Sequence, residues 1–459
     1  MRFAFYLFYL LSYLGFRLGE GLVRLLPIEA AFAVGQGIGE LAYRVHWRRR
    51  RIALRNLRLA FGKEKSESRL RALNREHFQL LGGNFLAGLK ASTMPDERIW
   101  ERVTANVPEI RARSGWVALI SHIGNWELFS HLGTKFPEYR FGAVYQSQAN
   151  PYIDRYLRRT RTGAGTVLFD RSTGILRCVR FLAEGGVVGV LFDQGAGYAG
   201  LWTPLFGRLA SSTTLPATLA IRTGTPVVPI AIHTTGRARW ELIISDPVYP
   251  EEDESAERLT FRINGLLEGQ IRHSPADWLW SHKRWKPLRP HFLFARNQRR
   301  VFVPPELAMG ALDPFRILIV PPVAMEECAA LLPALRAIKK GRPDNSLAVL
   351  APSTSLKFWQ DSGMTDHVIE QSNRDGVLAL ASKVKRGGDF DAAIFFGGSR
   401  AVAAAAWLAA VPIRVGLQRE SGALFYNQHL AEPPPGFTPP TAYLHMARSV
   451  GANINQPEF

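Results

Sequence analysis

The sequence predicts an α/β protein with two folded domains, the first of them preceded by a membrane-anchoring helix. Strand-like and helix-like runs alternate from residue 116 onward, which favours α/β domains with a largely parallel sheet. The formal net charge of +18 is confined to the first 300 residues, because residues 301–459 contain equal numbers of basic and acidic side chains. An apolar, aromatic run precedes both domains. At 459 residues, the chain has the length of about two to three domains.

The apolar run extends from Phe3 to Phe16 and is flanked by Arg2 and Arg17. It is shorter than the ~20 residues that span a bilayer. We favour a membrane anchor over residues 1–45, as a short span or an interfacial helix; a signal peptide and a buried core helix are the alternatives. The basic run 48–51 that follows would hold the next domain at the cytoplasmic leaflet.

The charge and the cysteine content indicate the class of binding partner and the cellular compartment of the protein. The basic first part predicts an anionic partner, namely a membrane surface, a phosphorylated lipid, an acidic carrier protein or nucleic acid. The hydrophobic N-terminal run argues against nucleic acid. Two cysteines, one on each side of the charge boundary, imply no disulfide framework and suit a reducing cytoplasm. We therefore predict a first domain over 46–300 and a linker over 301–312, followed by a second domain.

A histidine and a glutamate lie at the end of the first predicted strand. Trp116 to Ile120 is an apolar run typical of a buried strand, and Gly124 breaks the pattern before a predicted helix. His122 and Glu127 would point apart by roughly 140° on one continuous helix. At a strand–loop–helix corner they can converge, with the histidine as general base and the glutamate fixing its tautomer. The spacing alone is weak, because histidines near carboxylates are common.

More polar side chains follow the later predicted strands. Asp170 and Arg171 end the strand that begins at Val167, and Asp193 and Gln194 end the strand that begins at Val187. Ligand sites in parallel sheets lie at the carboxyl ends of strands, so we expect one shared cleft. Asp193 as an ordinary helix cap remains the alternative. The glycine-rich stretch 195–212 is predicted to be a loop over this cleft.

The segment Ser121–Glu127 resembles the H-x4-D/E signature of the lysophospholipid-acyltransferase-like superfamily, and more narrowly that of the lipid A late acyltransferases of the lauroyl/myristoyl type. The resemblance covers about residues 1–295. Further blocks match in the same order: Asn150-Pro151 followed by Arg161, Gly185 to Gln194, Pro204 to Gly207, Thr223 to Pro229 and Trp278 to Lys286.

The resemblance implies an acyltransferase at the cytoplasmic face of the inner membrane. Its members transfer an acyl chain from acyl carrier protein, which is acidic, to an anionic glucosamine-disaccharide lipid, and the activated thioester needs no metal or organic cofactor. It would make His122 the base and Glu127 its partner, with Arg161 and Asp193 in the polar cleft. We predict that the substrate-binding residues also include Gln194, Arg171 and Gln146. Gln146 stands where the family usually has arginine.

Residues 313–459 are predicted to form one Rossmann-like α/β domain. Its predicted elements include a strand from Ile317 to Val320, a helix from Cys328 to Lys340 and an alanine-rich helix from Arg400 to Ala410. The domain resembles the N-terminal half of a heptosyltransferase-type glycosyltransferase. The second half, which holds the nucleotide-sugar in that family, is missing, so we expect no glycosyl transfer by this chain alone.

Two alternatives to a lipid A acyltransferase stay open. The first domain could acylate a different glycolipid, such as a phosphatidylinositol mannoside. The chain could also be a catalytically silent membrane scaffold for glycolipid synthesis; Gln146 and the half-glycosyltransferase favour that reading, and intact His122 and Glu127 oppose it. A serine nucleophile is disfavoured, because the chain has no Gly-x-Ser-x-Gly elbow.

Overall fold

A computed structural model describes residues 2–106, 115–163, 165–294, 300–307, 311–430 and 432–454. The chain divides into two compact units, one of residues 1–206 with 210–285 and one of residues 207–209 with 286–459. The division at residue 285 precedes the change in charge near residue 300. Residues 286–294 belong to the second unit because Phe292 and Leu293 are buried in its core.

Four helices form the N-terminal part of the first unit: α1 (Arg2–Arg24), α2 (Ile28–Val45), α3 (Trp47–Phe61) and α4 (Glu67–Ala91). Ser66 caps α4, because its side chain accepts a hydrogen bond from the Arg69 N–H. Among the helices of the described residues, none combines the length and apolarity needed to cross a membrane.

α1 carries a row of exposed leucines on one face. Their spacing of three or four residues places them in a single stripe. The opposite face packs on the first unit through aromatic contacts, including the stacked rings of Tyr13 and Tyr152 and the edge-on pair of Phe16 and Tyr156. The exposed stripe consists of Leu7, Leu11, Leu14, Leu18 and Leu22.

α2 and α4 approach each other closely at glycines. A Cβ at Gly39 would lie well inside the van der Waals distance of the Phe78 carbonyl oxygen, and one at Gly35 would meet the backbone of Gly82. Gly37 lies on the exposed side of the same helix, and a Cβ there would meet nothing within 4 Å. Backbone contact between these two helices therefore requires glycine at Gly39 and tolerates other residues at Gly37.

We expect G39A to lower the free energy of unfolding of the first unit by about 1–3 kcal/mol, because the helices must separate to admit the methyl group. G37A is the matched control, and it should stabilise by up to about 1 kcal/mol through helix propensity. Thermal unfolding of the whole chain, followed by circular dichroism, measures both changes. Equal midpoints for the two variants would contradict this description of the helix contact.

The first unit is built around a seven-stranded sheet of order β1-β9-β8-β2-β5-β3-β4, in which neighbouring strands are parallel except for the antiparallel pair β8–β9. The predicted α/β class and largely parallel sheet are confirmed. The elements after α4 are α5 (Asp96–Trp100), β1 (Val103–Asn106), β2 (Trp116–Gly124), α6 (Leu132–Lys135), β3 (Phe141–Tyr145), α7 (Pro151–Thr162), β4 (Val167–Asp170), α8 (Ile175–Ala183), β5 (Val187–Leu191), β6 (Leu201–Leu205), β7 (Arg208–Ser212), α9 (Leu215–Thr223), β8 (Val227–Gly236), β9 (Arg239–Ile244) and α10 (Ala256–His273).

The stretch 195–212, predicted to be a loop, contains the two strands β6 and β7, which form a small sheet of their own. The prediction was wrong because glycines at the start of the stretch obscured the buried residues that follow, such as Leu201 and Trp202. The turn between the strands falls at Phe206 and Gly207, both with positive φ.

The second unit contains a six-stranded sheet of order β12-β11-β10-β13-β14-β15, parallel throughout. Counted within the unit this is the order 3-2-1-4-5-6 of a Rossmann fold, which confirms the predicted architecture. Its elements are β10 (Phe315–Val320), α11 (Met325–Lys339), β11 (Asn345–Pro352), α12 (Leu356–Asp361), β12 (His367–Gln371), α13 (Val377–Gly387), β13 (Ala392–Phe395), α14 (Arg400–Leu408), β14 (Ile413–Leu417), β15 (Gln428–Leu430) and α15 (Pro439–Ser449).

Candidate active site

His122 lies in a distortion at the carboxyl end of β2. The strand continues past Ile120, where the sequence predicted its end, and its register against β8 shifts before Gly124. Gly124 has a φ of +55°, and a Cβ there would collide with the carbonyl oxygen of Ile232. Irregularities of this kind redirect the side chains of a strand. Here the imidazole is directed to the end of the neighbouring strand β5.

Asp193 holds the imidazole of His122. It follows β5, which pairs with β2 in parallel, so the two side chains meet at one edge of the sheet. Nδ1 of His122 lies 2.8 Å from Oδ1 of Asp193, and the His122 backbone N–H donates to Oδ2 at 2.9 Å. An ionised carboxylate only accepts hydrogen bonds, so this contact assigns the proton to Nδ1 and leaves a lone pair on Nε2.

Burial and neighbouring charges shift the pKa values of His122 and Asp193 in opposite directions. Burial disfavours the imidazolium, but the charge and hydrogen bond of Asp193, helped by the charge of Glu127, raise the pKa of His122 above its usual value; Arg161 opposes them. Burial also disfavours the Asp193 carboxylate, yet the charge and hydrogen bonds of His122 and the hydrogen bond from Trp278 lower the pKa of Asp193 to about 2. Asp193 is therefore ionised at neutral pH, and its charge favours the protonated form of His122.

The segment after α10 completes the surroundings of Asp193. The indole N–H of Trp278 donates to Asp193 Oδ2 at 2.8 Å, and the backbone N–H of Leu279 donates to the His122 carbonyl at 3.1 Å. His282 Nε2 accepts a hydrogen bond from the Gly195 N–H at 3.3 Å. This segment therefore fixes both the carboxylate and the backbone of the histidine.

Arg284 adds a buried positive charge to the same region. Its guanidinium donates to the Ser211 carbonyl and to the Ser212 hydroxyl, both at 2.7 Å, and the residue is only 2% exposed. Burial lowers the pKa of Arg284 to about 10, and the charge of Asp193 works against that change. Arg284 thus stays protonated at neutral pH and favours the ionised form of Asp193.

No individual role was predicted for Trp278, His282 or Arg284. All three lie in the Trp278–Lys286 block, which is one of the blocks that resemble the family. The signal that could have identified them is the density of tryptophan, histidine and arginine in one short segment. Such residues rarely cluster unless their polar atoms have partners.

Glu127 does not make the contact that the sequence predicted. It lies on a 3-10 helix, Trp126–His131, and its carboxylate accepts from Arg161 Nη2 at 2.9 and 3.2 Å. Between the described residues Glu127 and His122 there is no hydrogen bond, so Asp193 rather than Glu127 fixes the tautomer. The physical reason is that β2 continues beyond His122, which carries Glu127 away from Nδ1. Glu127 influences His122 through its charge.

The remaining predicted residues lie at neighbouring strand ends. Gln194 places its side-chain nitrogen 3.4 Å from Nε2 of His122. Arg171 donates to the Gln146 side-chain oxygen at 3.0 Å, which joins the ends of the paired strands β4 and β3. The sheet thus brings His122, Asp193 and Gln194 together, while Arg171 and Gln146 form a separate pair.

The arrangement can remove a proton from a hydroxyl group. Nε2 of His122 carries the lone pair and, among the described residues, has only the long contact to the Gln194 amide, and the ring of Trp126 packs edge-on against the imidazole with centroids 5.1 Å apart. The positive charge that develops on the ring is stabilised by Asp193 through a direct hydrogen bond. In the described part of the chain, no group of three or more His, Cys, Asp and Glu side chains could hold a metal ion.

A family model described as bacterial lipid A biosynthesis acyltransferase matches residues 4–287. The chain belongs to this family. It is therefore an acyltransferase, as the order of its motifs predicted. The lipid A biosynthesis lauroyltransferase of Escherichia coli (strain K12) is 28% identical over 274 residues, which cover 58% of this chain and 88% of that protein. The lipid A biosynthesis palmitoleoyltransferase of the same strain is 25% identical over 272 residues, covering 57% of this chain and 86% of that protein.

Two glycosyltransferases are among the solved structures that are similar to part of this acyltransferase. One is a glycosyl transferase family 9 protein from Veillonella parvula, with 16% identity and a TM-score of 0.28, covering 31% of this chain and 43% of that chain. Another is the Escherichia coli ADP-heptose lps heptosyltransferase II, with 18% identity and a TM-score of 0.25, covering 30% of this chain and 41% of that chain. The chain spans less than half the length of either structure.

Proposed function

We propose that the chain transfers a fatty acyl group from an acyl carrier protein thioester to a hydroxyl of a lipid A precursor or a related glycolipid. The observation that carries the proposal is the His122–Asp193 pair, which leaves Nε2 unprotonated and able to act as a base. The lipid A acyltransferase family and the net positive charge of the first 300 residues support the substrates.

The proposed reaction is a direct transfer between two bound substrates. Nε2 of His122 takes the proton of the acceptor hydroxyl as its oxygen attacks the thioester carbonyl. The new C–O bond forms, the C–S bond breaks, and the imidazolium returns its proton to the departing thiolate. Asp193 stays ionised throughout and stabilises the imidazolium. Arg161, held by Glu127, would bind an anionic group of a substrate.

The positive charge of the first 300 residues supports an acidic carrier protein as the donor of the acyl group. Exposed basic residues attract an acidic carrier over a distance, and this attraction weakens as salt screens it. Coenzyme A thioesters carry the same acyl group without the acidic protein surface. The choice of donor can therefore be tested through its dependence on ionic strength.

We expect the acyl carrier protein thioester to give a higher kcat/KM than the coenzyme A thioester of the same chain at low salt. The advantage should fall by about tenfold or more between 50 and 500 mM salt, because surface attraction is screened over a few ångströms at the higher value. Initial rates with purified chain and both donors measure this ratio. A ratio that salt does not change would contradict an electrostatically recruited carrier protein.

We propose peripheral attachment to the cytoplasmic face of the inner membrane. The exposed leucine stripe of α1 supports an interfacial helix, since apolar side chains on one face favour burial at the lipid boundary. The basic residues that begin α3 would contact anionic headgroups. For the second unit, we propose a packing or binding role.

The charges around His122 predict that two variants shift the pH dependence of activity in opposite directions. A base must be neutral to act, and the pKa of His122 is raised, so activity should increase with pH through a value above about 6.5. E127Q removes a negative charge that raises this pKa, and it should move the acidic limb to lower pH. R161Q removes a positive charge that lowers it, and it should move the limb to higher pH.

The pH dependence of kcat/KM for the wild type and both variants tests this directly. Both variants also lose the Glu127–Arg161 ion pair. A shift in the same direction for both would therefore mean that the pair acts as a structural unit rather than through separate charges on His122.

A further inference from the structure

A pocket of about 360 Å³ lies among α2, α3 and α4, outside the catalytic site. This volume is within the range of roughly 300–1,000 Å³ that is usual for small-molecule sites. Three of the lining residues are arginines and one is a buried asparagine. The lining residues are Tyr43, Arg50, Arg51, Leu54, Arg71 and Asn74.

The pocket carries positive charge that the protein does not neutralise. Arg50 lies over the ring of Tyr43 and donates to its carbonyl, and Arg51 lies over the ring of Trp47. In the described part of the chain neither arginine pairs with a carboxylate. Arg71 pairs with Glu67 at 2.8 Å, but that carboxylate also binds Arg58. The site therefore attracts an anion, and guanidinium groups suit phosphate oxygens.

Asn74 forms part of the wall of the pocket. Its side chain is almost fully buried, and its Nδ2 donates to the Arg50 carbonyl at 3.0 Å, which ties α4 to the backbone that carries Arg50 and Arg51. The two arginines are therefore held in place beside α4, and the pocket suits the phosphate group of a ligand.

The orientation of α3 separates this pocket from the reacting groups. Arg49 and Asn56 lie on one face of the helix and bond to the carbonyls of residues 280–282, next to the catalytic site. Arg50, Arg51 and Leu54 are centred roughly 155° around the helix from that face. This favours a membrane lipid over the acyl acceptor as the occupant.

Trp47 indicates where the lipid would come from. It is exposed at the start of α3, and Arg48 and Arg51 both lie over its ring. Exposed tryptophan flanked by arginine is typical of side chains at a membrane surface. Because Arg51 also lines the pocket, the edge of the pocket adjoins this residue.

We propose that this pocket binds the phosphate of an anionic membrane phospholipid. The guanidinium groups of Arg50 and Arg51 contact the phosphate oxygens. The inference rests on the membrane attachment proposed above and adds a specific lipid site to it. Bound lipid would fix how the first unit is held at the membrane surface.

The test is calorimetric titration of the purified full chain with dihexanoyl phosphatidylglycerol, below its micelle concentration. We expect saturable binding that R51Q weakens by about tenfold or more, because a charge-assisted hydrogen bond is lost. R48Q is the matched control: it removes the same charge from the same ring of Trp47 and does not line the pocket. It should change affinity by less than about twofold.

Three further probes identify the occupant. Dihexanoyl phosphatidylcholine, whose choline group cancels the charge of its phosphate, should bind at least about tenfold more weakly. Inorganic phosphate binding as tightly as the lipid would overturn the lipid assignment, and displacement by glucosamine 1-phosphate would assign the pocket to the acyl acceptor. Equal losses in R48Q and R51Q would reduce the effect to general surface charge and overturn the proposal.

Acyl transfer by the same wild-type preparation separates the two proposals. Saturable lipid binding without transfer to any acceptor would overturn the proposed function and leave the pocket assignment standing. Transfer without lipid binding would overturn the pocket assignment alone.

Discussion

Replacing Asp193 by asparagine is expected to lower the rate of acyl transfer by about 10²- to 10⁴-fold. An asparagine amide can donate to Nδ1 of His122, which moves the imidazole proton to Nε2 and removes the lone pair that accepts the substrate proton. The substitution also removes the charge that raises the pKa of His122. The loss should therefore persist at every pH. Initial rates with a thioester donor from pH 5 to 9 measure it.

The chain contains a matched control for D193N. His131 and Asp96 form a second histidine–aspartate pair, with Nδ1 2.7 Å from Oδ1, and neither residue belongs to the proposed mechanism. D96N should keep activity within about threefold of wild type, because it breaks a similar contact away from the reacting atoms. Comparable losses in D193N and D96N would show that the effect of Asp193 is on folding rather than on the imidazole.

Replacing His122 by alanine is expected to lower kcat by about 10³- to 10⁴-fold and to leave donor affinity nearly unchanged. The alanine variant has no group at the position of Nε2 that could take the acceptor proton. The pH dependence assigned to the raised pKa of His122 should disappear as well. Pre-steady-state transfer rates and donor binding, measured separately, distinguish these effects.

H131A is the control for H122A, and the unfolding midpoints of both variants should be compared with that of the wild type. His122 is largely buried and held at both ends, so its removal costs some stability. An H122A variant that is folded and retains more than about a tenth of the wild-type rate would exclude His122 as the general base.

The grouping of side chains in the candidate site was predictable because the carboxyl ends of parallel strands meet at one edge of a sheet. His122, Asp193 and Gln194 were expected in one cleft on that rule, and the structure brings them together. Which carboxylate orients the histidine could not be predicted. Glu127 is near His122 in sequence, whereas Asp193 is near it because β5 pairs with β2. The order of strands in a sheet is a tertiary property, and one sequence does not specify it.

The end of β2 and the role of Arg284 were not predicted, because the residues next to them in the sequence do not indicate either feature. The end of β2 was placed too early because Ser121 and His122 interrupt an apolar run, although a strand at the centre of a sheet can carry polar residues into a site. Arg284 was missed because a buried arginine is recognisable only by its partners, here Ser211 and Ser212. The Rossmann-like unit was predictable because its strands are continuous apolar runs.

The role proposed for His122 as the base of this acyltransferase has one most direct test. It is the mass spectrum of a tetra-acylated lipid A precursor after incubation with acyl carrier protein thioester and the purified chain. We predict one added acyl chain with wild type and with H131A, and none with H122A. Equal products with H122A and wild type, or no product from wild type across a panel of donors and glycolipid acceptors, would contradict it.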